Sequence, residues 1–278
     1  MERRRFEAGV REWLREACQQ GHPLACGWVE EHLARVEFTR GLHLPLVREF
    51  VALEGLRVLD LGCGTGGASV AFALAGAWAL GLDRSARILD LAALRAAEEQ
   101  TTLRLVQGDA RRLPLRSGAI DLCICDQVVE HVEEYRLLLA EIHRILRPGG
   151  LAVVAAPHRL ALREGHTGLF FASWLPHHLA GRYADWRGRR MPGEAWDVWL
   201  ESPWVIRRRL RDAGFVELRS PWRQPRRDAH LGGTVRRTAA RIGPLVRLVR
   251  GLFRWRTFLF GTVTFVVMKP PESPEVHT

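Results

Sequence analysis

From Leu56 to Ala156 the chain alternates short apolar runs with longer amphipathic ones, and this alternation constrains the fold more than any other feature. Arg57 to Leu61, Ala77 to Leu82, Leu103 to Val106, Ile120 to Cys125 and Leu151 to Ala156 read as five strands. Between them, Gly66 to Leu74 begins a helix, and Ser85 is placed to cap another that runs to about Glu98. A third helix runs from about Val128 to Leu146 and stops at Arg147-Pro148-Gly149-Gly150, where proline and glycine end it. Strands that alternate with helices pair in parallel through right-handed crossovers. The expected fold is therefore α/β, a doubly wound and mostly parallel sheet of Rossmann-like form. A helix at Val205 to Ala213 leads to apolar runs at Phe215 to Arg219 and Phe258 to Met268. These bring the sheet to seven strands, the last one antiparallel.

The remaining segments divide the chain further. Residues 1–50 read as helical, with Phe6, Val10, Trp13, Leu14 and Ala17 at helical spacing and a break expected near Gly41 and Pro45. Residues 51–157 form the core unit, 158–203 an insertion or lid, and 204–270 the completion of the sheet. The insertion and its edge carry Trp174, Trp186, Trp196, Trp199 and Trp204 with His158, His166, His177 and His178. Its tryptophans are expected to pack mainly as the lid's own core.

The chemistry starts at Val58-Leu59-Asp60-Leu61-Gly62-Cys63-Gly64-Thr65-Gly66, between the first strand and its helix. Glycines let the backbone turn sharply and approach a ligand with no Cβ in the way. The helix behind them offers free N–H groups and the positive end of a dipole, which suit a carboxylate or a phosphate. Gly62-x-Gly64-x-x-Gly67 also fits the dinucleotide fingerprint, with Asp83 at the distance of a ribose partner. Asp60, two residues before the first glycine, and a third acid, Asp109, after the third strand point away from a nicotinamide site.

Five features taken together resemble the class I S-adenosylmethionine (SAM)-dependent methyltransferases that act on small molecules. They are the Asp60-to-Gly66 run, Asp83, Gly108-Asp109-Ala110, the stretch from Asp121 to His131, and Leu146-Arg147-Pro148-Gly149-Gly150. By that resemblance Asp60 with Gly62, Gly64 and Gly66 would hold the amino-acid end of SAM. Asp83 would bind the ribose hydroxyls, Asp109 and the Ala110 backbone would meet the adenine, and Gln127 would lie near the methionine part or the reacting methyl.

The acceptor is less legible. Strand four ends in Cys125-Asp126-Gln127-Val128, without the Asn/Asp-Pro-Pro-aromatic motif of nucleobase amino methyltransferases, and no RNA-binding module is evident. No nucleic-acid partner is expected. Relatives that methylate quinone-precursor phenols bind a divalent metal through an E-x-x-E-H run. Here Gln127 replaces its first Glu ahead of Glu130-His131, so no metal is expected. Glu130-His131 reads as a helix-start Glu and a His packed near the cleft, or, in a chemical role, with His131 as the candidate base, since imidazole titrates near neutral pH. Pro157-His158-Arg159-Leu160 onward resembles methyltransferases of surface-glycan synthesis. The expected acceptor is a small molecule, a lipid-linked molecule or a glycan, most readily methylated on oxygen. The alternative is a SAM-binding protein without catalysis that serves regulation or assembly.

Charge adds one further expectation. The net charge is +10, yet Trp204 to Arg256 holds 15 Arg against three acids, so the basic character belongs to that stretch. Within the basic insertion at 222–257, Val235, Ala239, Ile242, Val246, Val249 and Phe253 fall on one helical face and Arg residues largely on the other. Pro244 would kink such a helix. The pattern allows peripheral membrane contact through 235–256 as well as packing on the domain's flank. No signal peptide is read at the start, no cysteine pair has zinc-ligand spacing, and reduced thiols are expected. The expected location is cytoplasmic, with the basic face free to meet the inner membrane surface.

Overall fold

A computed structural model describes residues 3–19, 25–189, 195–219 and 261–271. Four helices come first: α1 (Arg3–Trp13), α2 (Arg15–Gln19), α3 (Ala25–Gly41) and α4 (His43–Arg48). The alternating unit follows as β1 (Arg57–Leu61), α5 (Gly67–Leu74), β2 (Trp78–Asp83), α6 (Ala86–Glu98), β3 (Arg104–Gln107), β4 (Ile120–Asp126), α7 (Tyr135–Ile145) and β5 (Leu146–Pro157). The chain ends in α8 (His177–Trp186), α9 (Pro203–Asp212), β6 (Val216–Arg219) and β7 (Thr262–Met268). The seven strands lie in the order β3-β2-β1-β4-β5-β7-β6. Strands β1 to β5 are parallel, and β7 runs antiparallel between β5 and β6. The expected α/β fold is thus observed, with β7 inside the sheet and β6 as its edge.

The register explains the apolar runs. Leu59, Leu61, Cys123 and Cys125 face α7 and α9, while Val58, Leu122 and Ile124 face α4 and α5. A strand buried on both faces has no polar side to show, so its sequence is continuously apolar. Cys123 and Cys125 share one face, as their spacing predicts, and are free thiols in the core. Because β1 to β5 are parallel, every loop after their C-terminal ends meets one edge. The order reverses between β1 and β4, which is where open sheets of this kind bind ligands.

Local differences from the sequence reading have physical causes. The helix expected from Val128 to Leu146 is broken into a 3₁₀ turn, Val129–His131, and α7. A continuous helix would give the Glu130 carbonyl to the amide of Glu134; here it accepts from Trp199 N at 2.7 Å. The Pro148-Gly149-Gly150 run ends no helix but forms the irregular start of β5. Gly149 adopts a φ of 74° and donates to the Lys269 carbonyl, while Lys269 Nζ donates to the Leu146 carbonyl. Ser85 caps α6 as expected, accepting from Ile88 N. Trp196 packs against Leu169, Ala172 and Ala184, but Trp174, Trp186 and Trp204 are exposed, so only part of the tryptophan set forms a lid core. The amphipathic segment at 235–256 lies outside the described residues. Among those described, no helix is long and apolar enough to cross a membrane.

Candidate active site

The loop after β1 is shaped by three glycines with left-handed backbones: Gly62 (φ 68°), Gly64 (φ 50°) and Gly66 (φ 74°). What a side chain would meet differs at each. A Cβ on Gly62 would lie 2.4 Å from Val128 Cγ2, and one on Gly66 would lie 2.9 Å from Ala92 Cβ. A Cβ on Gly64 would meet nothing within 4 Å. Two of the glycines are needed for packing, and the third borders open space at the ligand edge of the sheet.

The acids behind the loop hold its backbone. Asp60 is buried, and its Oδ2 accepts from Ser69 N (2.8 Å) and Ser69 Oγ (2.6 Å) in the first turns of α5. Burial raises its pKa to about 6 despite those bonds. Asp83 Oδ2 accepts from Gly64 N at 3.0 Å, and its Oδ1 accepts from Ser85 N. Each oxygen of a carboxylate has a second lone pair to offer a hydroxyl. Asp109 lies further out and is exposed, closed on Arg111, whose backbone N, Nε and Nη2 all donate to it. Ala110 is half-buried against the core.

Helix α3 covers the same loop, which sequence reasoning missed. Gly67 has no Cβ where one would lie 2.4 Å from Arg35 Cγ, and Arg35 crosses there to pair with Asp126 at 2.6 Å. His32 Nδ1 lies 3.2 Å from Thr65 Oγ1, which also accepts from Arg95. Burial, with Arg95 and Arg35 nearby, lowers the His32 pKa to about 4, so the ring is neutral. A helical spacing shows that α3 has an inner face but not that this face meets the loop.

Past β4 the chain turns through Gln127 with φ 61°, a conformation that costs a non-glycine residue roughly 1–2 kcal/mol. Gln127 N donates to the Ala155 carbonyl, and its side-chain Nε2 donates to Thr262 Oγ1 at 3.0 Å. Beyond it lies a polar cluster. His131 Nδ1 is 3.2 Å from Asp197 Oδ2, and His166 Nδ1 is 2.8 Å from Glu164 Oε1. The two imidazoles meet edge to face at 4.9 Å. Glu130 beside them is 1% exposed, with no hydrogen-bond partner for either oxygen among the described residues. Burial raises its pKa to about 8, against the charge of His131. Burial would raise Glu164 as well, but the bonds and charge of His166, with Thr167, outweigh it and hold Glu164 at about 2. Asp197, Glu164 and His166 come from the insertion, and no local pattern near His131 pointed to them.

Comparison with known proteins places this arrangement. Residues 59–154 match the family described as "Methyltransferase domain". A ubiquinone biosynthesis O-methyltransferase of Cereibacter sphaeroides is 30% identical over 199 residues, spanning 70% of this chain and 78% of that protein. The chain belongs to the class I SAM-dependent methyltransferases. The fold is shared with a SAM-dependent methyltransferase from Mesorhizobium loti (TM-score 0.56, 23% identity, 81% of this chain and 96% of that one). It is shared too with magnesium protoporphyrin IX methyltransferase from Synechocystis, solved with bound S-adenosylhomocysteine (TM-score 0.52, 18% identity, 85% and 84% covered).

The cofactor of this methyltransferase is SAM, and the loop fits it. The space a Cβ on Gly64 would fill is open, one acid, Asp83, ends β2, and another, Asp109, follows β3. Asp60 braces the loop from inside, so its removal has a measurable signature. Asp60→Ala leaves Ser69 N and Oγ unpaired in the core and is expected to cost about 1–3 kcal/mol, read as a lower melting temperature. The pH dependence has a definite sign. Between pH 3.8 and about 6 folded Asp60 keeps a proton that the unfolded chain loses. Stability contributed by this group therefore falls as pH rises through that window. Denaturant unfolding of Asp60→Asn across the same range should show a flatter profile than the parent protein.

Proposed function

We propose that this methyltransferase transfers the SAM methyl group to a hydroxyl oxygen of a small-molecule, lipid-linked or glycan acceptor, with His131 as the base. The observation that carries the reading is the pair of His131 and Asp197 beyond the C-terminal end of β4. Asp197 lies 3.2 Å from His131 Nδ1 without hydrogen-bond geometry, so it acts on the ring by charge and favours the imidazolium formed when His131 takes the acceptor's proton. SAM supplies an electrophilic methyl on a sulfonium. The protein's share is to align the acceptor oxygen, which can account for much of the acceleration. The glycines, Asp60, Asp83, Asp109, Ala110 and Gln127 are assigned to the cofactor, and residues 158–203 to covering the acceptor. Relatives that are named O-methyltransferases support oxygen as the target. The segment Cys125-Asp126-Gln127-Val128 supports an acceptor other than nucleic acid. We assign the protein to the cytoplasm; the pattern of Arg and apolar residues at 235–256 suits either peripheral membrane contact or packing on the domain's flank. The test is formation of S-adenosylhomocysteine from SAM in the presence of acceptor fractions from cell extract. SAM binding without product in every fraction would favour a regulatory or assembly role instead.

A second reading has its own observation. One ligand atom from each of Glu130, His131 and His166 lies within 4.8 Å of the others. His166 keeps Nδ1 hydrogen-bonded to Glu164, as histidines that bind metals usually do, and Asp197 lies 3.2 Å from His131 Nδ1. The residues fit a divalent cation, which would lower the acceptor hydroxyl's pKa and hold it in place. Chelation separates the two readings. With His131 as base, EDTA leaves the rate unchanged; loss on EDTA and recovery with magnesium or manganese would assign the cluster to a cation.

A further inference from the structure

Residues 170–186 of the insertion show solvent a run of large apolar side chains that the core does not use. Phe170, Phe171 and Trp174 are each about half exposed, Leu179 is exposed, and Trp186 is 77% exposed. The first three touch one another, with ring centroids 6.4 Å apart for Phe170 and Phe171 and 5.2 Å for Phe171 and Trp174. In α8, Leu179, Arg182 and Trp186 recur at steps of three and four, so they share one helical face, and all three are exposed. Ala180, Gly181 and Ala184 are buried on the other side. Phe171 holds a φ of 63°, an outlier for a bulky side chain. Its N–H donates to the Leu162 carbonyl and its own carbonyl accepts from Trp174 N, which fixes the turn with the ring in solvent.

Exposed apolar surface of this extent marks a contact, and its charged neighbours point to the partner. Within 163–189 the cations are Arg163, Arg182, Arg187 and Arg189, and the acids are Glu164 and Asp185. Glu164 is buried and engaged by His166 and Thr167, so the exposed balance is basic. Arg187 lies over the Trp186 ring, 5.6 Å from its centroid. Aromatic rings beside arginines suit the boundary between acyl chains and anionic headgroups, where the ring enters and the guanidinium meets phosphate. Helix α8 has ten residues, too few to cross a bilayer, so it would lie in that boundary. One hairpin joins this face to the polar cluster. Arg163 and Phe170 form its bridge, Glu164 N donates to the Leu169 carbonyl, and at its tip His166 meets His131 edge to face at 4.9 Å.

We propose that this face, from Phe170 to Trp186, docks the protein on an anionic lipid bilayer. Docking needs no methyl transfer; on the methyl-transfer reading above, it sets the hairpin between the bilayer and His131, as would suit a lipid-linked acceptor. It is tested by sedimenting the full chain at low salt with vesicles of phosphatidylcholine, alone or mixed with phosphatidylglycerol. The parent protein should pellet with the mixed vesicles. Phe171→Gly keeps the left-handed turn and removes the ring, and Trp186→Ser removes the most exposed indole. The double variant should bind the mixed vesicles about tenfold more weakly or worse, with melting temperature and S-adenosylhomocysteine affinity unchanged. A parent protein that stays in the supernatant with both vesicles would overturn the proposal. Equal pelleting of the double variant would overturn it too, and move the contact to other basic residues. A dimer of the parent, seen by light scattering without vesicles and dissolved in the double variant, would assign the face to a second copy instead. Loss of S-adenosylhomocysteine binding in the parent would overturn the cofactor reading and leave the vesicle result standing.

Discussion

Gly64→Val is expected to weaken S-adenosylhomocysteine binding on the order of a hundredfold or more while the protein stays folded. The reason is what surrounds the position. A Cβ there meets no protein atom within 4 Å, so the new side chain occupies ligand space and not the core. Its φ of 50° makes any side chain strained, at a cost of roughly 1–2 kcal/mol, which a domain of this size can absorb. Gly66→Ala should behave in the opposite way. Its methyl would press on Ala92 at 2.9 Å with φ at 74°, so stability falls first. Calorimetry and thermal melting on the same two variants check this. Unchanged affinity in a folded Gly64→Val would show that the cofactor does not approach this loop.

The second large effect is expected at the polar cluster. His131→Ala should lower kcat by about 10²–10⁴-fold, the usual range for a positioned proton acceptor, and leave S-adenosylhomocysteine affinity within about twofold. Asp197→Asn should reproduce part of that loss, because the amide no longer favours the imidazolium by charge. If His131→Ala keeps its full rate, neither the base nor the cation reading holds. A parallel loss of rate and cofactor affinity would instead make His131 part of the cofactor's wall.

What was legible follows from how local each cause is. The strands announced themselves because burial on both faces demands near-continuous apolar runs, and Val58 to Leu61, interrupted only by Asp60, and Leu122 to Cys125 answer that demand within a few residues. The glycine loop and Asp83 were visible because their spacing along the chain sets their spacing in space; Gly64 N bonds Asp83 directly. Contacts between distant segments left no such trace. Trp199 takes the Glu130 carbonyl and breaks a helix that the local sequence would continue. Arg35 reaches Asp126 across a gap that exists only because residue 67 is glycine. Glu164, His166 and Asp197 join His131 through an insertion whose histidines show no ligand spacing of their own. Gln127 was picked out in the sequence for its chemistry alone, while its left-handed backbone emerged only from the fold.

The central claim is transfer of the SAM methyl to oxygen through this cleft. It is tested most directly by incubating the full chain with SAM carrying an isotope-labelled methyl group and acceptor fractions from cell extract, followed by NMR of the labelled product. The account predicts S-adenosylhomocysteine in step with a labelled methyl ether, formed by the parent protein and not by Gly64→Val. A labelled methyl on nitrogen or carbon, or SAM bound and never turned over in any fraction, would contradict it.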